Sequence, residues 1–185
     1  MNWIEITGFV LTILGVFLSI YQSIWVWPVN IVSPIVYLII FYKAKLYGDM
    51  SLQLLFIGLA VYGGVLWSRQ DMRPKKAVRF LNVKEYFIYS LSTIILSAAF
   101  YFVLDNYTDT DVPLSDAVLT AASIIATILA AKKCIENWAI WVLADLAYTA
   151  LYIYKGLYLT AVLYFILAVL AVYGYYSWKR EIATK

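Results

Sequence analysis

The chain has 185 residues, of which 64% are hydrophobic and only 14% are charged, with a mean hydropathy of +0.82. Soluble globular domains average about 45–50% apolar and about 25% charged residues, so this composition predicts an integral membrane protein in a lipid bilayer. The net charge of +3 gives no argument for a nucleic-acid partner. With one cysteine and no histidine, an intrachain disulfide is excluded, and we expect no metal site, no cofactor and no enzyme.

Seven stretches are long and apolar enough to form membrane-spanning helices, since about 20 helical residues cross a hydrocarbon core of about 30 Å. In chain order they lie at 6–25, 29–47, 50–68, 85–104, 114–132, 137–155 and 159–178. We therefore predict an all-α multi-pass membrane protein with seven transmembrane helices.

The orientation follows from the distribution of Lys and Arg. The segments after helices one, three, five and seven hold 11 of the 14 basic residues, whereas the loop at 105–116 carries four aspartates and no basic residue. By the positive-inside rule the C-terminus is cytoplasmic and the N-terminus lies outside. A lipid-headgroup or nucleic-acid patch is the alternative interpretation of the basic run at 69–84.

The chain matches itself without a gap when it is shifted by 111 residues. Matches of Trp, Tyr and Gly are informative, because chance matches are frequent only among apolar residues. The matches are Trp27 with Trp138, Tyr37 with Tyr148, 59–63 with 170–174, and Trp67 with Trp178. Such a shift indicates an internal duplication.

The duplication predicts a 3+1+3 plan. Residues 1–68 form the first three-helix repeat, 69–113 hold a basic cytoplasmic linker, a connector helix and an acidic outer loop, and 114–185 form the second repeat. Four helices separate corresponding positions, so the repeats are parallel and related by an axis along the membrane normal, as in SWEET transporters. This arrangement is typical of transporters that expose a substrate between the repeats alternately to the two sides.

Asp145 is the only acid well inside a predicted span, and a charge at a helix centre costs about 2.5–3.5 kcal/mol on insertion scales. At about 100° per residue it shares one stripe of helix six with other polar and aromatic groups. The stripe holds Asn137, Trp141, Asp145 and Tyr148, with Trp138 at its edge, and Trp27, Asn30, Tyr37 and Gln53 are the candidates of the first repeat. Indole rings, a carboxylate and amides together predict a site for a flat cationic or hydrogen-bonding heterocycle such as a vitamin.

Several of these side chains have a structural alternative. Asn30 and Gln53 could hydrogen-bond between helices, and Asp145 could pair with a tyrosine hydroxyl or relay protons. For Trp138 and Trp141 a place in the aromatic belt is the alternative to substrate contact. Belt positions at the membrane interface are expected for Trp3, Trp25, Trp67 and Trp178.

The sequence resembles the PnuC vitamin transporters over nearly its whole length. The resemblance rests on the segments 25–28, 46–49 with Gln53, 62–63, 67–69, 136–138 with Trp141 and Asp145, and 155–158. It implies a homotrimer in the bacterial inner membrane that moves nicotinamide riboside, thiamine or riboflavin down a gradient. A cytoplasmic kinase would trap the product. By the family pattern Gln53, Asn137, Trp138, Trp141 and Asp145 would contact the substrate.

One departure affects the expected substrate. Nicotinamide riboside members commonly carry Trp after the Tyr-Gly pair, where this chain has Gly64. The missing ring is expected to leave room for another ligand, so we expect thiamine, with nicotinamide riboside as the alternative. A vitamin-binding membrane subunit of an ATP-driven importer is the alternative from another class.

Overall fold

The chain is all-helical, as predicted. The computed structural model describes residues 3–43, 47–71, 78–108, 110–154, 156 and 158–183, without the side chains of several helical residues, Tyr37 among them. Within these ranges there are seven helices. They are α1 (Trp3–Ile20), α2 (Val26–Lys43), α3 (Tyr47–Asp71), α4 (Val83–Tyr107), α5 (Pro113–Ala131), α6 (Glu136–Tyr154) and α7 (Tyr158–Ala183).

Three of the differences from the predicted bounds have local causes. The first helix ends at Ile20 rather than at residue 25, because Gln22 adopts φ 52 and reverses the chain. The second begins at Val26 despite Pro28, since the first turn of a helix needs no amide donor. At the start of α4, the Asn82 side chain accepts from the Glu85 amide and the Glu85 carboxylate accepts from the Asn82 amide.

The chain divides into two compact units, Met1–Ala77 and Val78–Lys185. In the first unit α1 packs on α2 and α2 on α3, and in the second the pairs are α4 with α5, α5 with α6 and α6 with α7. Each unit is thus a series of sequential helix pairs, and the described α4 belongs with α5–α7.

Three of the described helical stretches are long and apolar enough to cross a membrane: Val83–Tyr107, Pro113–Ala131 and Thr160–Ala183. Shorter apolar stretches lie at Thr7–Ile20, Val26–Ile35 and Gln53–Arg69. Large apolar side chains of α4, including Phe87 and Ile94, are exposed, and none of its side chains is buried. Such a surface suits a lipid environment.

The turns α1–α2 and α5–α6 have the same geometry at an offset of 111 residues. Gln22 and Lys133 are the non-glycine residues with positive φ in the described part of the chain, at 52° and 54°. The following amides, of Ser23 and Cys134, each donate 2.9 Å back across the end of the preceding helix. This is the Schellman pattern with a left-handed residue after the helix end. The duplication read from the sequence is therefore reproduced in backbone hydrogen bonds.

Candidate functional site

A tryptophan pair closes the core of the second unit. Trp138, near the start of α6, meets Trp178 of α7 edge to face, with ring centroids 5.4 Å apart and planes at 89°. Both rings are buried, at 2% and 1% exposure. Gly174 lies directly against the Trp138 ring, where a methyl group would fall 2.7 Å from Cε3 and Cζ3. Only glycine therefore fits beneath this ring without a shift of the helices.

The first unit contains the same construction. Trp27 and Trp67 meet edge to face at 5.3 Å and 85°, both rings are buried, and Gly63 packs against Trp27. The expectation that Trp67 and Trp178 are belt anchors is wrong, because each ring is packed inside its own unit rather than at a lipid-facing surface. Trp25 is 67% exposed, as a belt residue would be.

Gly64 does not border open space. A methyl group there would lie 3.2 Å from Cβ of Trp27 and 3.5 Å from its Cγ. The expected room for a differently shaped ligand beside Gly64 is therefore absent from the first unit, because the stem of Trp27 fills it. The argument for thiamine that rested on this glycine loses its physical basis.

The residues of the predicted polar stripe lie on α6 of the second unit. Asp145 is 4% exposed, and within the described residues no hydrogen-bond donor contacts its carboxylate. The Thr149 hydroxyl donates 2.7 Å to the backbone carbonyl of Asp145, not to the side chain. Trp141 is half-buried, unlike Trp138, so part of its indole surface is open. No cation of the described residues pairs with this carboxylate, and a buried carboxylate one turn from an accessible ring can receive a positively charged aromatic group.

Three tyrosines meet at the α6–α7 contact, two of them on α6 within two turns after Asp145. The Tyr148 and Tyr164 ring centroids are 4.8 Å apart, those of Tyr152 and Tyr164 5.2 Å, and Tyr148 stacks on Tyr152 at 6.0 Å and 19°. The Tyr148 hydroxyl also lies beside Ser123 of α5. Only Tyr148 was predicted. Tyr152 follows it at a spacing of four residues and could have been found by helical periodicity, whereas the place of Tyr164 depends on how α7 packs.

The start of α6 presents buried polar atoms. Asn137 is 1% exposed, its Nδ2 donates 2.7 Å to the Cys134 carbonyl, and its Oδ1 accepts no hydrogen bond from the described part of the chain. The Trp138 Nε1 is buried and equally without a partner within the described residues, as is the Trp27 Nε1 of the first unit. A buried acceptor and a buried donor side by side in sequence are costly unless something pairs with them.

The remaining predicted residues belong to the first unit. Asn30 and Gln53 are half-buried, and Gly15 of α1 allows the Asn30 amide to come close, since a methyl group there would lie 2.9 Å from Oδ1. The Tyr37 side chain lies outside the described part of the structure. Each unit thus assembles its own polar and aromatic groups, with the fuller set in the second.

Taken with the composition, these features define an integral membrane protein with buried polar groups that have no hydrogen-bond partner among the described residues. A family model described as nicotinamide mononucleotide transporter matches residues 2–180. The chain therefore belongs to this family, that of the PnuC vitamin transporters, as the sequence resemblance indicated.

Relatives of established name match almost end to end. Nicotinamide riboside transporter PnuC of Escherichia coli strain K12 is 25% identical over 96% of this chain and 85% of its own length. Riboflavin/roseoflavin transporter RibM of Streptomyces davaonensis is 26% identical over 95% of this chain and 84% of its own. The crystal structure of the vitamin B3 transporter PnuC superposes with a TM-score of 0.76 at 22% identity, covering 98% of this chain and 83% of the other, which supports the fold.

Proposed function

We propose that this protein transports an unphosphorylated, cationic B vitamin, with nicotinamide riboside as the substrate. The observation that carries the proposal is the Asp145 carboxylate, buried in the second unit with no donor from the described residues and next to the half-buried Trp141 along α6. Nicotinamide riboside combines a fixed positive charge with a flat ring. The carboxylate would offset the charge, and the indole would stack on the ring.

The proposed site favours a nucleoside over a nucleotide. A phosphate group carries negative charge at neutral pH and would be repelled by a buried carboxylate. The family description names the mononucleotide, whereas the Escherichia coli relative is named for the riboside, and the charge at Asp145 supports the riboside. Trp27, Asn30, Tyr37, Gln53, Asn137, Trp138, Trp141, Asp145 and Tyr148 are the proposed substrate contacts.

The transport mechanism is part of the same proposal. The repeat supports a 3+1+3 arrangement of seven transmembrane helices, with 1–68 and 114–185 as parallel SWEET-like repeats that alternate access by facilitated diffusion. The Lys and Arg distribution supports an outer N-terminus and a cytoplasmic C-terminus in a bacterial inner membrane. A homotrimer, and trapping of the product by a cytoplasmic vitamin kinase, rest on the family resemblance. No step requires catalysis by this chain.

The test is uptake by proteoliposomes that contain only the purified protein. Labelled nicotinamide riboside should equilibrate without ATP or an ion gradient, and nicotinamide mononucleotide should not enter. Thiamine and riboflavin complete the panel, since the Streptomyces davaonensis relative is named for riboflavin. Preferred entry of either would overturn the choice of substrate, and binding without entry would favour the subunit of an ATP-driven importer.

A matched pair of variants locates the site in the same assay. Asp145→Asn should reduce nicotinamide riboside uptake, while Asp111→Asn, on an exposed residue of the acidic loop, should leave uptake unchanged. Equal uptake by both variants would remove Asp145 from the proposal.

A further inference from the structure

The segment that precedes α4 is bonded to the turn between α5 and α6. The Arg79 amide donates 3.1 Å to the Lys133 carbonyl, and the Ile135 amide donates 3.0 Å to the Arg79 carbonyl. These two bonds bracket Cys134, which is fully buried. Backbone hydrogen bonds therefore join Arg79 to the residues on both sides of Cys134.

Glu136, the first residue of α6, adds a side-chain fastening. Its Oε1 accepts from the Leu81 amide at 2.9 Å and from the Tyr86 hydroxyl at 2.8 Å. One carboxylate oxygen therefore joins the segment before α4, the first turn of α4 and the start of α6. We call the contacts of Arg79, Leu81 and Tyr86 with residues 133–136 the linker clip.

The surroundings of the linker clip hold it in one geometry. Arg79 donates two hydrogen bonds of 2.7 Å to Glu85, which raises the pKa of the guanidinium above its usual range. Lys132 donates 2.7 Å to the Tyr89 hydroxyl. Below the bonds lies an apolar cluster made of Leu81, Ile125, Leu129 and Cys134. Backbone, charge and packing thus act together at this end of the second unit.

The linker clip leads directly to a proposed substrate contact. The Cys134 carbonyl, at the centre of the bracketed turn, accepts from Nδ2 of Asn137 at 2.7 Å. Because the amide group is planar, this bond decides where Oδ1 of Asn137 points. That oxygen is buried and has no partner within the described residues. The position of the turn therefore sets the direction in which Oδ1 of Asn137 points.

We propose that Glu136 is a positioning residue for substrate binding. By holding the linker clip it fixes the Cys134 carbonyl, and this carbonyl orients the Asn137 amide so that Oδ1 accepts a hydrogen bond from a donor on the substrate, such as a carboxamide or ribose hydroxyl. The role rests on the proposed function, since the donor belongs to the vitamin. Glu136 acts through Asn137 and need not touch the ligand.

Within the described residues, the first unit has no counterpart of the Glu136 contacts. The residue that corresponds to Glu136 at an offset of 111 is Trp25, whose indole has no carboxylate and is 67% exposed. The two turns share their backbone bonds, so the added carboxylate distinguishes the second. In the second unit, the segment before α4 is thereby connected to a proposed ligand contact.

The experiment compares Glu136→Ala, Glu136→Gln and Tyr86→Phe with Asp105→Ala, an exposed carboxylate near the other end of α4. Hydrogen–deuterium exchange over residues 130–141 is measured without ligand, and nicotinamide riboside binding is measured by tryptophan quenching. Glu136→Ala should raise exchange in the turn and weaken binding about tenfold, the effect of one lost hydrogen bond. Glu136→Gln keeps an acceptor oxygen and should stay within about threefold of the parent.

A double-mutant cycle with Asn137→Ala separates positioning from general loosening. If Glu136 acts through Asn137, then adding Glu136→Ala to Asn137→Ala should change the affinity by less than about twofold. Additive losses, or unchanged exchange in the turn of Glu136→Ala, would overturn the proposal. Should Glu136→Ala not fold, Tyr86→Phe replaces it in the comparison. Its affinity should fall about threefold, which is half the loss of Glu136→Ala in free energy, because one of the two hydrogen bonds to the carboxylate is removed. Unchanged exchange in the turn of Tyr86→Phe would likewise overturn the proposal.

Failure of the proposed function gives a different result. A parent protein that binds no nicotinamide riboside contradicts the substrate and with it the role of Asn137 as a contact. The exchange measurement still decides whether Glu136 orders the turn.

Discussion

Replacing Gly174 by alanine tests the close contact between α7 and the Trp138 ring in the second unit. A methyl group at this position falls 2.7, 2.7 and 2.8 Å from Cε3, Cζ3 and Cδ2 of Trp138, well inside van der Waals contact. The ring cannot move aside freely, because Trp178 meets it edge to face at 5.4 Å and both rings are buried. The helices α6 and α7 must separate locally to accept the methyl group.

The added methyl group overpacks the contact, and we expect this to lower the free energy of unfolding by about 1–3 kcal/mol. Alanine also gains about 1 kcal/mol over glycine as a helix former. Gly58→Ala is the matched control, since Gly58 lies in α3 with no heavy atom within 4 Å of the added carbon. The difference between the two variants therefore isolates packing and should be roughly 2–12 °C in melting temperature for a chain of this size.

The assay is thermal unfolding of the detergent-purified variants, followed by tryptophan fluorescence. Adding Trp138→Phe to Gly174→Ala removes part of the ring that the methyl group meets, so the two losses of stability should sum to more than the loss in the double variant. Equal melting temperatures for Gly174→Ala and Gly58→Ala would refute the reasoning, and strictly additive losses would show that the methyl group and the ring do not compete for one space.

Three further predictions concern single side chains. Asp145→Asn should weaken nicotinamide riboside binding about tenfold and the binding of neutral riboflavin less, because only the cation loses a counter-charge; equal losses in quenching titrations would leave Asp145 a structural role. Trp141→Ala should weaken binding with little change in melting temperature, because Trp141 is only half-buried. Trp138→Ala should instead lower the free energy of unfolding by about 3–5 kcal/mol, because Trp138 is buried. A large loss of stability in Trp141→Ala with an unchanged melting temperature in Trp138→Ala would contradict these roles. Cys134 should resist maleimide in the folded protein and react once denatured, because burial raises the pKa of its thiol and hides it; rapid labelling of the folded protein would contradict the closed turn.

The helices could be predicted from the sequence because apolar runs of sufficient length leave few other structures. The position of α6 is correct within one residue at each end, and the residues of the predicted polar stripe lie on it. The end of α1 is wrong by five residues, since apolar side chains continue through the turn at Gln22 and only its positive φ stops the helix. A hydropathy pattern does not indicate where the backbone conformation changes within an apolar stretch.

Tertiary packing accounts for what the sequence did not reveal. The repeat aligned Trp67 with Trp178, but whether these rings face lipid or pack on Trp27 and Trp138 depends on helix rotation, which a composition argument does not determine. The sequence around Gly64 does not indicate that the stem of Trp27 packs against it. The linker clip joins Leu81 to Glu136 across 55 positions, and nothing local in either segment indicates the pairing.

The two tryptophan pairs have a consequence for biosynthesis. In each unit the partners lie 40 residues apart on consecutive helices, so their contact requires no residue of the other unit. Trp27 can meet Trp67 once α3 has been released from the ribosome, before any of α5–α7 exists. The α2–α3 and α6–α7 hairpins can therefore form in succession, and a nascent protein halted after α3 is expected to pack Trp27 against Trp67.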